Sequence, residues 1–143
     1  MDYHSRLSNR IDQWLDAGYG SCVLCVVACR EVVAESLRHF AGQRYDLLAW
    51  VILPNHVHVC CVLHPDWLLE RVLFTWKRYT AGGIIKLLGQ DGGFWMHDYF
   101  DRLIRDGDHL RNVVRYIRRN PVKACLQEGE YSLWEGELAK AVG

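Results

Sequence analysis

A change from one extended run to another within two residues constrains this chain more than any other feature. Tyr45, Leu47, Leu48, Trp50, Val51 and Ile52 crowd residues 44–53, Pro54 and Asn55 interrupt them, and an apolar run resumes from His56 to Leu63. Strand formers on either side of a Pro-Asn break define an antiparallel hairpin. Successive side chains of a strand point to opposite faces, so His56, His58, Cys60 and Val62 share one face and Val57, Val59, Cys61 and Leu63 the other. The second face is wholly apolar and belongs to a core. The first holds two imidazoles with Cα atoms about 6.5 Å apart, close enough to grip one metal ion or to sit together as ordinary structural histidines.

The chain has 143 residues, half of them hydrophobic, with six Trp and seven Tyr, which supports one folded domain over 1–143 and argues against disorder. No apolar run reaches the ~18 residues of a membrane span. The start, Met1, Asp2, Tyr3, His4, lacks the basic-then-apolar layout of a signal peptide, so a cytoplasmic protein with no membrane partner is expected. Formal charge is zero, yet Arg71 to Lys123 holds eleven Lys or Arg against five Asp, and the remainder six against twelve. Such segregation suits a basic face for a polyanion, or simply solvated helix faces. The six cysteines make no zinc-binding pattern. Cys22, Cys25 and Cys29 lack a second cluster, and Cys60 and Cys61 point opposite ways, so buried free thiols are the better account.

In chain order, Leu7, Ile11, Trp14 and Leu15 space a short amphipathic helix over Arg6–Ala17, and Val33, Leu37 and Phe40 a second over Glu31–Ala41. A third helix runs from about Trp67 to Leu88, with a kink or break expected at Gly82 and Gly83. Phe94 to Ile104 interleaves aromatics with Arg102 and Arg105, a mixture that serves base stacking and phosphate contacts or a small core. A last helix, about His109 to Asn120, is capped by Asp106 or Asp108 and stopped by Pro121. Its core stripe is Leu110, Val113, Val114 and Ile117. Tyr116 and Asn120, four apart, lie one above the other on its flank among Arg115, Arg118, Arg119 and Lys123. A phenol among cations, beside an amide and able to face two imidazoles, fits attack on a phosphodiester. A surface tyrosine with a helix-ending asparagine is the plainer alternative.

Three blocks in this order, Pro54-Asn55-His56-Val57-His58, Phe94-Trp95 with Tyr99 to Asp106, and Tyr116 to Ala124, resemble the single-tyrosine transposases of the HUH class, most of all the REP-associated tyrosine transposases. The resemblance covers about residues 20–126, with an atypical N-terminal helix before it (1–19) and a tail after it (127–143). It implies an α+β, ferredoxin-like fold, an antiparallel sheet with helices packed on one side. It implies metal ligands His56, His58 and Asn120, a nucleophilic Tyr116, Mg²⁺ or Mn²⁺ as cofactor, and cleavage and rejoining of single-stranded or hairpin DNA through a 5′-phosphotyrosine by a monomer or homodimer. By charge and position Lys77, Arg78, Arg102, Arg105, Arg115, Arg118, Arg119 and Lys123 are candidates for the DNA. Two departures stand out: the family's first strand beside the histidine strand is missing, a helical segment standing in its place, and Cys125 takes a position where relatives usually have Gly. A missing strand leaves two alternatives open, an inactive truncated remnant that only binds DNA, and an unrelated metal-dependent phosphoesterase.

Overall fold

The computed structural model describes residues 10–17, 23–89, 95–104 and 106–142. Strand β1 (Arg10–Ala17) is followed by a single 3₁₀ turn (Val23–Cys25), helix α1 (Val27–His39), the hairpin β2 (Tyr45–Ile52) and β3 (His56–Leu63), and helix α2 (Leu69–Leu88). Then come β4 (Trp95–Leu103), helix α3 (Gly107–Lys123), a short strand β5 (Ser132–Glu135) and a final turn of helix, α4 (Glu137–Val142). Among the described residues the strands form one sheet in the order β4-β1-β3-β2-β5, with every neighbouring pair antiparallel.

The hairpin forms as its sequence pattern requires, with Tyr45 opposite Leu63 and Ile52 opposite Val57, and Leu53 N–H closing the turn on His56 C=O at 2.8 Å. The N-terminal segment does not. Residues 10–17, whose spacing reads as a helix, are a strand that places Trp14 opposite His58 and Asp16 opposite His56 while its other edge pairs with β4. The place beside the histidine strand is therefore filled. A short segment flanked by two open sheet edges gains a ladder of hydrogen bonds on both sides, and that outweighs a helical spacing of four apolar residues.

Helices cover both faces of the sheet rather than one. Against Val57, Val59, Cys61 and Leu63 pack Val33, Ala34 and Leu37 of α1 and Val72, Leu73 and Trp76 of α2. Against Cys60, Val51, Leu48 and Leu53 on the reverse face pack Leu110, Val113, Val114 and Ile117 of α3 and Ala139 of α4. The two faces of β3 are thus both buried, and its histidines belong to the α3 side.

α2 runs unbroken through Gly82 and Gly83. A Cβ on Gly83 would meet Val32 Cγ1 at 2.6 Å, so that glycine marks where α1 and α2 approach most closely, while a Cβ on Gly82 would meet nothing within 4 Å. α1 begins four residues earlier than its apolar spacing implies, and its first residue follows Val26, which supplies no side-chain cap. α3 takes Asp106 as its cap, Oδ1 accepting from His109 N–H at 2.7 Å, and continues past Pro121 to Lys123. Proline this close to a helix end removes a single intrahelical donor, which the last turn tolerates.

Candidate active site

β3 and α3 bring two of the sequence's candidate residues, His58 and Tyr116, into contact. His58 is 1% exposed, and its ring meets the ring of Tyr116 edge-to-face, with centroids 5.8 Å apart. Edge-to-face packing at this distance is the ordinary geometry of an aromatic contact. Here it joins a strand residue to a helix residue far away in the chain. Tyr116 itself is 41% exposed, so the phenol is reachable from solvent while one side of its ring is held. The Lys123 ammonium lies 5.1 Å from the Tyr116 ring centroid, a cation–π distance that puts positive charge beside the phenol.

His56 is oriented by its own neighbour, Nδ1 lying 2.8 Å from Asn55 Oδ1. Nε2, on the other edge of the ring, is shielded from solvent. Asn120 is one helical turn beyond Tyr116 and is buried, and its side-chain Nδ2 has no hydrogen-bond partner among the described residues. A buried amide nitrogen without a partner is rare, because its N–H donors lose water without recovering a bond, and an acceptor oxygen rather than a metal ion would satisfy them. Among the described residues no three of His, Cys, Asp or Glu gather as a metal-binding group. Two imidazoles with an amide oxygen would be a donor set of the kind that suits a divalent ion whose shell is completed by oxygens from water or a phosphate.

The basic candidates separate. Arg115, Arg119 and Lys123 are exposed on α3 around Tyr116. Arg118 is engaged instead by Glu135 of β5, its Nε donating to Oε1 at 3.0 Å, a paired carboxylate that raises the guanidinium above its ordinary pKa. This bond fastens α3 to the edge strand, where Trp134 also stacks on Trp50. Lys77 and Arg78 sit on α2, across the sheet from Tyr116. Arg102 lies on β4 opposite Asp12 of β1, and Arg105 lies outside the described residues.

Sequence reasoning missed Arg30. Its guanidinium is buried and donates to Leu24 C=O, Cys25 C=O and Gly129 C=O and to Ser132 Oγ, tying α1 to the segment that leads into β5. Nothing near Arg30 in the sequence marks it, since two of these partners come from the far end of the chain. No disulfide forms among the described residues: Cys25, Cys29, Cys60, Cys61 and Cys125 are free. Cys125 adopts φ 58°, the left-handed conformation that glycine favours, so the cysteine there carries backbone strain that a glycine would not.

Solved structures share this fold. One such structure, a REP-associated tyrosine transposase bound to a REP hairpin, superposes with a TM-score of 0.62 at 21% identity over 82% of this chain and 68% of its own. A second, a protein of Deinococcus radiodurans R1 assigned as a transposase, gives 0.58 at 19% identity over 77% of this chain and 88% of its own. No family model and no curated protein matches the chain. No helix among the described residues is long and apolar enough to cross a membrane.

Proposed function

We propose that this chain cleaves and rejoins single-stranded or hairpin DNA, with Tyr116 as the nucleophile and a 5′-phosphotyrosine as the intermediate. One observation carries the reading: the phenol of α3 and the imidazole of β3, from elements with no local reason to meet, are in ring contact on one face of the sheet. The fold likeness to transposases, one of them bound to a DNA hairpin, supports it.

In the proposed step the phenolic oxygen attacks a backbone phosphorus, the P–O3′ bond breaks, the phenolic proton passes to solvent, and the freed 3′ oxygen takes up a proton. A later 3′ hydroxyl attacks the phosphotyrosine, restoring the phosphodiester and the phenol, so no nucleoside triphosphate is consumed. A phenol with an ordinary pKa near 10 is protonated at neutral pH, and attack is easier where positive charge stabilises the oxygen as it becomes negative. Lys123 supplies such a charge beside the ring. His56, His58 and Asn120 would hold a Mg²⁺ or Mn²⁺ ion, which when bound polarises a phosphoryl oxygen. Nitrogen ligands favour Mn²⁺ over Mg²⁺, whereas abundance favours Mg²⁺. Arg115 and Arg119, exposed on α3, would meet the flanking phosphates.

Incubation with a hairpin oligonucleotide and Mn²⁺, followed by denaturing electrophoresis, tests this reading. A covalent protein–DNA adduct is expected from the wild-type chain and none from Tyr116→Phe. An adduct that survives Tyr116→Phe, or turnover of small phosphodiesters with Tyr116 dispensable, rejects the nucleophile. DNA binding with no adduct from the wild-type chain leaves a binding module.

A further inference from the structure

On the far side of the sheet from Tyr116, α1 and α2 enclose a groove of about 610 Å³, and a second of about 480 Å³ adjoins it, the two sharing Arg44, Phe74 and Thr75. Arg44 is fixed at the junction. Its guanidinium lies 3.4 Å from the Phe40 ring centroid and 4.2 Å from that of Trp67, and donates to Thr75 Oγ1 at 3.3 Å. Arg78 and Lys86 line the larger groove. Phe74 is 65% exposed and Tyr79 44%, with Tyr79 stacked on His39 at 5.8 Å. Neither ring is needed to fill the core beneath.

We propose that this groove holds a single strand of DNA, the flank of the segment worked on at Tyr116; the inference rests on the DNA-handling function proposed above. Exposed aromatic rings among fixed cations are the combination that takes up unpaired bases and their phosphates, because bases stack on the rings while the backbone follows the positive charge. A duplex offers no free base faces to stack. Glu35 and Glu70 also border the two grooves, and an anionic strand must run along the cations and clear of them. Gly82 forms part of the floor, and a Cβ there meets nothing within 4 Å, so the helix backbone is open to a flat ligand at that point.

Gly82 supplies the decisive variant. Gly82→Glu puts bulk and negative charge into the groove from a Cβ that meets no neighbour within 4 Å, and Phe74→Ala removes a stacking platform. Fluorescence anisotropy with a labelled single-stranded oligonucleotide that forms no hairpin is expected to show affinity falling about ten-fold for each, with circular dichroism melts like the wild type. If the wild-type chain forms its Tyr116 adduct but both variants bind the single strand as tightly as it does, the groove assignment is wrong and the proposed function stands. If the variants lose affinity while no adduct forms even in the wild type, the groove is correct and the cleavage reading fails. A wild-type chain that binds an acidic peptide here but no single strand overturns the proposal.

Discussion

Tyr45 shows how much one hydroxyl can carry. Its Oη accepts from Trp76 Nε1 at 2.8 Å and donates to Leu37 C=O at 2.5 Å, joining β2 to both α1 and α2. Burial pushes the phenol up to about 12. An unfolded tyrosine ionises near pH 10, so above that the unfolded chain sheds a proton that the folded one keeps, and stability falls as pH rises from about 10 towards 12. The loss is expected to reach on the order of 2–3 kcal/mol, read from urea melts across that range. Tyr45→Phe should flatten this dependence at the cost of about 1–3 kcal/mol, because Trp76 then lacks an acceptor. At this scale the sequence was most legible where a period selects a face. A two-residue period set the histidines apart from the apolar face of β3, and a four-residue step put Asn120 beside Tyr116. Arg30 and Glu135 escaped because what gives them meaning is a partner distant along the chain.

Among the elements, the packing of α1 on α2 needs Gly83 bare but makes no demand on its neighbour Gly82. Gly83→Ala would bring a methyl group to 2.6 Å from a stiff, β-branched Val32, and overpacking of that kind costs about 1–3 kcal/mol, more than the helix propensity gained. Gly82→Ala meets no neighbour and should stabilise by about 0.5–1 kcal/mol through propensity alone. Thermal denaturation of the two single variants should therefore move in opposite directions. The same pair explains why a kink looked reasonable: composition shows that glycines weaken a helix but not that a neighbour needs the space. β1 was misread for a related reason. Its spacing fits a helix, yet its hydrogen bonds are made to β3 and β4, and no local pattern reports partners that far along the chain. α3, by contrast, was read nearly in full because its apolar stripe, its Asp106 cap and its interior contacts agree.

For the molecule as a whole, the candidate site depends on three layers keeping register: α1 and α2 below, the sheet, and α3 with α4 above. Arg30 helps hold the ends of this stack together by binding Gly129 C=O and Ser132 Oγ from α1. Arg30→Met is expected to destabilise by roughly 2–4 kcal/mol, since several buried carbonyls lose their donor, and to make the segment after α3 more open to limited proteolysis. Unchanged denaturant midpoints and an unchanged digestion pattern would remove this clasp from the account. β1 has a further consequence. The histidine strand already has β2 as a hairpin partner from its immediate surroundings, but its second neighbour is synthesised first and must wait for distant chain before it can be used. Bringing such remote segments together is slow, because the entropy of closing a long loop is lost before any contact repays it. The face that joins His58 to Tyr116 would then be among the last parts to mature during folding, and a nascent chain would lack that contact until the sheet had been threaded through its middle.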